Sequence, residues 1–288
     1  MKVFATRSCA HLLNQMNLPQ GRLTIKTFSD GELYIKIEEE VADQKVWVIA
    51  STEAPAEHLI ELFLLLDALE RAGAQIHILF TYFGYARQDR MLPGEPLSAA
   101  MIFRFLQNFV IQQTIIIHIH STRLKMFYDF EDLILLDFFV PYIDMVDSVI
   151  APDKGAGALV RILAEHEKKT SRVIEKIRNT HEHIERMIIH DGLQGKNVLI
   201  ADDMIATGST VIKAAQLLKE HGVKDIYVAA THGIFSADAI KTIEQSPIKR
   251  VFVTNTIDQR KESEKIEVID CAPMLENIIL AQEDNNLW

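Results

Sequence analysis

The sequence predicts an α/β protein of two similar domains, each a mostly parallel sheet flanked by helices, and three observations carry that prediction. Short apolar runs alternate with stretches of helical periodicity. The alternation pauses near residues 141–149 and then restarts, which divides the chain into 1–144 and 145–288. One run in the second half leads directly into two carboxylates and a small-residue turn, the pattern of a strand that delivers a binding loop.

Taken in order, residues 46–50 read as a strand, 56–72 as a helix, 76–80 as a strand, 98–108 as a helix and 114–118 as a strand. The second series reads as strand over 149–151, helix over 157–166, strand over 198–201, helix over 210–221 and strand over 226–230. Strand–helix alternation implies parallel pairing, because each crossover must return the chain to the same edge. Such sheets bind ligands at the carboxyl ends of their strands.

Composition supports two cores, since 48% of the 288 residues are hydrophobic. A net charge of -10 argues against a nucleic-acid surface, which normally shows a basic face or stripe. Cys9 and Cys271 are too few for a disulfide framework and read as small buried apolar residues, which fits the cytosol. The amino end has no signal-peptide pattern, and the most apolar stretch, Leu62 to Leu66, lies between Glu61 and Asp67 and is far too short to span a bilayer. The expectation is a cytoplasmic protein that engages neither membrane nor nucleic acid.

The most informative segment is Val198-Leu199-Ile200-Ala201-Asp202-Asp203-Met204-Ile205-Ala206-Thr207-Gly208-Ser209-Thr210. Val211, Ala214, Ala215, Leu217 and Leu218 continue it at helical spacing. Thr207 to Thr210 therefore fall where unpaired backbone N–H groups and the positive end of a helix dipole collect an anion. The segment is not a nucleotide P-loop, because Ser209 stands where that motif needs lysine, and it is not G-x-G-x-x-G. Asp202 and Asp203, expected to end the strand, add acids suited to sugar hydroxyls or a metal. A phosphate cradle beside two acids suits ribose 5-phosphate.

Three further segments carry charge at strand ends. Phe80 to Arg90 turns from aromatic to charged, with Arg87 and Arg90 as forked donors for phosphate oxygens and Gln88 and Asp89 between them. In His118-Ile119-His120-Ser121, strand alternation puts both histidines on one face, as transition-metal ligands or as polar residues at a strand terminus. In Glu175-Lys176-Ile177-Arg178-Asn179-Thr180 an apolar strand becomes charged and runs into His181 to Arg186. There a solvated hairpin and an active-site loop are both open.

With Phe28-Ser29-Asp30-Gly31-Glu32, these segments give a specific resemblance, spread from Phe28 to Phe235, to ribose-phosphate diphosphokinases. The 202–210 segment resembles the ribose-phosphate loop that this family shares with phosphoribosyltransferases. The F-S-D-G-E and Y-A-R-Q-D-R strings resemble the family's two ATP-binding segments, which phosphoribosyltransferases do not normally carry. The short length, Gly84 and the His232-Gly233-Ile234-Phe235 ending look like the compact archaeal-type members.

The resemblance implies two phosphoribosyltransferase-like domains and transfer of a diphosphoryl group from ATP to ribose 5-phosphate. It implies ATP binding by Phe28, Asp30, Gly31, Glu32, Arg87, Gln88, Asp89 and Arg90. Ribose 5-phosphate binding would fall to Arg178, Asp202, Asp203, Ala206, Thr207, Gly208, Ser209 and Thr210, with catalysis by Lys176 and Arg178. Magnesium (Mg2+) would be held by His120 and Asp153, and at least a homodimer is implied, with Asp30 and Glu32 facing a neighbouring subunit's adenine. His118, Ile177 and Ala206 depart from the family pattern. They keep open a catalytically silent regulatory homologue, and a phosphoribosyltransferase remains the third reading.

Overall fold

The structure, a computed structural model, describes residues 1–179, 184–189, 192–259 and 263–284, with all side chains in these stretches except those of 176–179, 184–186 and 284. The chain forms two compact units. The first comprises 1–134, 256–258 and the stretch from Cys271 onward, and the second comprises 135–255 and 259–270.

In the first unit, β1 (Lys2–Ala5), α1 (Ala10–Leu13), β2 (Leu23–Thr27), β3 (Leu33–Ile37), β4 (Lys45–Ser51), α2 (Glu57–Arg71), β5 (Gln75–Tyr82), α3 (Ser98–Leu106), β6 (Ile111–Ile117) and β7 (Glu131–Leu133) follow one another. The sheet order is β1-β4-β5-β6-β7, every pair parallel. β2 and β3 form a separate antiparallel hairpin. The predicted strand at 46–50 is a continuous apolar run and that at 76–80 is interrupted by half-buried His77, the pattern of a parallel sheet covered on both faces. α2 turns Leu62, Leu65, Leu66 and Leu69 inward at the spacing of one helical face.

An aromatic stack fills the space between sheet and α3. Phe103 lies 4.6 Å from Phe83, 5.1 Å from Tyr128 and 5.7 Å from Phe130, with all three pairs near-parallel. Tyr82 and Phe83 are thus core residues, while Tyr85 is exposed.

The second unit contains α4 (Leu136–Asp144), β8 (Ser148–Ala151), α5 (Gly157–His166), β9 (Thr170–Val173), β10 (Glu175–Asn179), β11 (Ile184–Ile188), β12 (Asn197–Ile205), α6 (Ser209–Glu220), β13 (Asp225–Gly233), α7 (Ala239–Glu244), β14 (Arg250–Thr254) and β15 (Ile266–Ile269). Its sheet runs β15-β14-β13-β12-β8-β9, again parallel throughout, and β10 and β11 form an antiparallel ribbon. Val198, Ile200, Val228 and Val253 meet Val211, Ala215 and Leu218 of α6 in one core.

The last helix, α8 (Ala272–Asp284), belongs to the first unit, where Leu275 and Ile279 are buried. Its end is held by an ion pair from Lys45 to Glu283 at 2.6 Å and by the Trp47 indole N–H, which donates to Glu283 Oε1 at 3.3 Å. Both cysteines are buried and neither forms a disulfide, and burial pushes the Cys9 thiol up to about 12, which disfavours its thiolate at neutral pH. Among the described residues no helix is long and apolar enough to cross a membrane.

Phe103 is fully buried with aromatic neighbours on several sides, so Phe103→Ala should destabilise the protein by about 3–5 kcal/mol. Urea unfolding monitored by tryptophan fluorescence checks this. A change below about 1 kcal/mol would show that the stack contributes little.

Candidate active site

The strand order of the second unit reverses between β8 and β12. β8 continues outward to β9, whereas β12 continues the other way to β13, β14 and β15. This switch point opens a crevice at the carboxyl ends of two adjacent parallel strands, the usual ligand position in such sheets. β8 leaves into Pro152-Asp153-Lys154-Gly155, where the Gly155 N–H donates to Asp153 Oδ1 at 2.9 Å and fixes the carboxylate.

The expectation that Asp202 and Asp203 end the strand is corrected by the register. β12 continues to Ile205 because β13 runs beside it to Gly233, with Met204 opposite His232 and Ile205 opposite Gly233. The acids are the sixth and seventh of the strand's nine residues, and the turn begins three residues after Asp203. Gly208 adopts φ 76°, a left-handed conformation that glycine reaches without a Cβ clash, and α6 starts at Ser209. The Thr207 hydroxyl accepts from the Ser209 N–H at 3.4 Å and donates to Ser209 Oγ at 3.2 Å. A twelve-residue helix thereby presents its N-terminal N–H groups to an exposed loop of Thr207 and Ser209, an arrangement suited to an anion.

Burial raises the Asp202 carboxyl well above the ordinary range, and the charge of Asp203, its hydrogen bond and the charge of Asp153 add to the rise. The Asp203 N–H, which donates to Asp202 Oδ1 at 3.0 Å, works in the opposite direction. The structure therefore brings Asp153, Asp202 and Asp203 into one acidic cluster beside the anion loop. Such a cluster is relieved by a cation or by donor hydroxyls. Among the described residues no group of three or more His, Cys, Asp or Glu is placed to hold a metal ion. A hard cation that keeps several waters and grips substrate phosphates takes only one or two protein carboxylates.

Lys176 and Arg178 sit at alternate positions of β10, opposite Met187 and Glu185 in the ribbon with β11. Their side chains lie outside the described part, as do Thr180, His181, Glu182 and His183 altogether.

In the first unit, Phe28 to Glu32 is the tip of the β2–β3 hairpin. The Phe28 N–H donates to the Glu32 carbonyl at 2.8 Å, the Glu32 N–H donates to Asp30 Oδ1 at 3.1 Å, and Gly31 takes φ 94°. Phe28 is 51% exposed, an unusual position for a phenyl ring, with the Tyr34 ring edge-on at 5.8 Å. Arg87 and Arg90 are exposed on the loop after β5, and Gln88 and Asp89 are half-buried. Gln88 accepts from the Ser98 hydroxyl at the start of α3, and Asp89 accepts from the Ser121 hydroxyl at 2.7 Å. The second bond ties this loop to the segment that carries His120.

The expectation that His118 and His120 share a face fails. β6 ends at Ile117, His118 takes φ 44° with its N–H bound to the Leu133 carbonyl, and the alternation breaks there. His118 is buried and His120 exposed.

Two features escaped the sequence reading. Glu61, read only as a boundary of an apolar run, is fully buried and accepts from both the Arg7 backbone N–H and its Nε at 2.5 Å. Arg7 also donates to Thr27 Oγ1 at the base of the hairpin, at 3.3 Å. Residues 234–236, of which the resemblance reaches only Ile234 and Phe235, bind the backbone at the entry to the anion loop. No local pattern signals either, because both depend on partners distant in sequence.

Two parallel α/β units, one with an anion loop and acids at its switch point, define the phosphoribosyltransferase-like class. A family model for the N-terminal domain of ribose phosphate pyrophosphokinase matches residues 1–109, and a phosphoribosyl synthetase-associated domain matches 153–285. The ribose-phosphate pyrophosphokinase of Halalkalibacterium halodurans is 34% identical over 99% of this chain and 95% of its own. That of Bacillus caldolyticus is 35% identical over 97% and 93%. The crystal structure of phosphoribosylpyrophosphate synthetase from Mycobacterium smegmatis superposes with a TM-score of 0.89 at 28% identity, covering 99% of both chains. The chain belongs to the ribose-phosphate pyrophosphokinase family, also called ribose-phosphate diphosphokinases.

The acidic cluster sets a measurable conflict between stability and function. Asp202 holds its proton to higher pH in the folded state than in the unfolded one, so ionising it costs stability that grows as pH rises from the ordinary aspartate value of 3.8 towards neutrality. Asp202→Asn should therefore raise the Tm of the ligand-free protein at pH 7, with the gain closing as pH falls towards 4. Thermal scans across that window check it, and a lower Tm for the variant at pH 7 would contradict the strained cluster.

Proposed function

We propose that this enzyme transfers the diphosphoryl group of ATP to the 1-hydroxyl of ribose 5-phosphate, releasing AMP and 5-phosphoribosyl 1-diphosphate for nucleotide biosynthesis. The observation that carries the reading is similarity over essentially the whole chain to ribose-phosphate pyrophosphokinases, including the N-terminal domain that holds both proposed ATP segments. A phosphoribosyltransferase would need the anion loop but not that domain.

In this reading the 5-phosphate rests on Ala206, Thr207, Gly208, Ser209 and Thr210, where N–H groups and the α6 dipole meet its charge. Asp202 and Asp203 accept from the ribose hydroxyls, which fixes the 1-hydroxyl. Phe28, Asp30, Gly31 and Glu32 contact adenine. The exposure of Phe28 at a hairpin tip supports its delivery to a second subunit, and hence at least a homodimer. Arg87, Gln88, Asp89 and Arg90 bind the ATP phosphates. His120 and Asp153 would hold Mg2+, which when bound neutralises phosphate charge.

The ribose 1-oxygen attacks the β-phosphorus as its proton passes to solvent, the bond from that phosphorus to the α–β bridging oxygen breaks, and AMP departs with that oxygen. Charge spreads over the transferring oxygens, where Lys176 and Arg178 stabilise it. Fixed, positioned charge is the main resource in such transfers.

Purified protein with ATP, ribose 5-phosphate and Mg2+ should produce AMP and phosphoribosyl diphosphate in equal amounts. Absence of AMP across several divalent metals and phosphate concentrations would favour the silent homologue. Lys176→Ala should lower kcat by at least ~10²-fold while moving either KM much less, because a cation that meets developing charge acts mainly in the transition state. Turnover close to wild type in that variant would remove Lys176 from the catalytic machinery.

A further inference from the structure

Two carbonyls at the entry to the anion loop, those of Ile205 and Ala206, are captured by a distant segment. The Ile234 N–H donates to the Ile205 carbonyl at 2.9 Å, the Phe235 N–H donates to the same oxygen at 3.2 Å, and the Ser236 N–H donates to the Ala206 carbonyl at 3.0 Å. Three successive N–H groups thus hold two successive peptide planes. A trans peptide is planar, with its C=O and the following N–H pointing in opposite directions. Fixing the carbonyls of Ile205 and Ala206 towards residues 234–236 therefore turns the N–H groups of Ala206 and Thr207 away from that segment.

The capturing segment is itself held in an unfavourable conformation. Phe235 takes φ 45° and Ala237 φ 52°, both in the left-handed region that residues with a Cβ rarely occupy. Phe235 pays for that conformation through its ring, which is buried at 6% exposure and folds back over Gly233. A Cβ on Gly233 would stand 2.6 Å from Phe235 Cε2 and 3.0 Å from Val253 Cγ2, so only glycine leaves room for the ring. The Gly233 carbonyl is fixed in turn by the Gln259 amide at 2.6 Å.

We infer that Phe235, seated over Gly233, is a positioning residue for ribose 5-phosphate: it locks residues 234–236 as a backstop that aims the Ala206 and Thr207 N–H groups at the 5-phosphate. The backstop touches neither substrate and acts through the peptide planes of the loop. It removes from binding the cost of orienting those planes, so its effect falls on ribose 5-phosphate affinity and spares ATP. This inference rests on the proposed phosphate role of the loop.

Two variants disturb the ring from opposite sides. Phe235→Leu removes its packing surface, and Gly233→Ala keeps the ring but displaces it. Each should raise the ribose 5-phosphate KM roughly 10-fold, the size of one weakened charge-assisted hydrogen bond, with the ATP KM and kcat changed less than about threefold. Titration calorimetry with ribose 5-phosphate should show the same loss, and Phe235→Tyr, which restores the ring, should recover most of it. If Phe235→Leu fails to fold, Phe235→Met replaces it.

Thr207→Val, within the loop, separates the two claims. If it raises the ribose 5-phosphate KM while the Phe235 and Gly233 variants do not, the backstop is refuted and the phosphate loop stands. If Thr207→Val leaves that KM unchanged, the phosphate reading itself fails. Equal rises in both substrates' KM in the Phe235 and Gly233 variants would mean that the segment only supports the fold.

Discussion

The second unit depends on the parallel pairing of β12 with β8 on one side and β13 on the other. Pairing with β8 brings Asp153 towards Asp202, because the two strands end at the same edge of the sheet. Pairing with β13 extends β12 to Ile205 and carries the Gly233–Ser236 segment up to the start of the anion loop. The acids, the anion loop and its support are consequences of one sheet register. A slip of one residue in β12 would turn Asp202 to the opposite face and separate these groups.

The same register explains why the acids are costly. Asp202 and Asp203 are half-buried at the end of an otherwise buried run, and Asp202 has the negative neighbours Asp203 and Asp153 where a stabilising partner would be a cation. The fold tolerates this because the rest of the strand, Val198 to Ala201, is fully buried and apolar. Stability supplied by the core is offset in part at the site, a pattern common where binding gathers like charges. The first unit has a contrasting case. Its buried Glu61 is matched by Arg7, and that pair braces the base of the hairpin whose tip carries Phe28.

Much of this was legible in the residues. Continuous apolar runs such as Val46 to Ala50 announce buried parallel strands, and the helix predicted over 157–166 is found over those residues. The anion loop could be read because its parts are contiguous: strand, turn glycine, helix. Three things could not be read. Strand alternation failed at His118, where a left-handed residue ends β6, because periodicity assumes an extended backbone that a single φ can break. The length of β12 was hidden because Asp202 and Asp203 look like a strand terminus, while the ladder to β13 decides otherwise. The backstop at Phe235 was hidden because its partners, Ile205 and Ala206, lie about thirty residues earlier, and hydrogen bonds between backbones leave no side-chain signature.

In the proposed function, backbone N–H groups of the 206–210 loop hold the 5-phosphate of ribose 5-phosphate. Amide chemical shifts of isotope-labelled protein test it directly. Ribose 5-phosphate should move the amide signals of Thr207, Gly208 and Ser209 strongly, inorganic phosphate should move the same signals at higher concentration, and ribose alone should leave them in place. Shifts of those amides with ribose equal to those with ribose 5-phosphate, or no shift with either, would contradict the account.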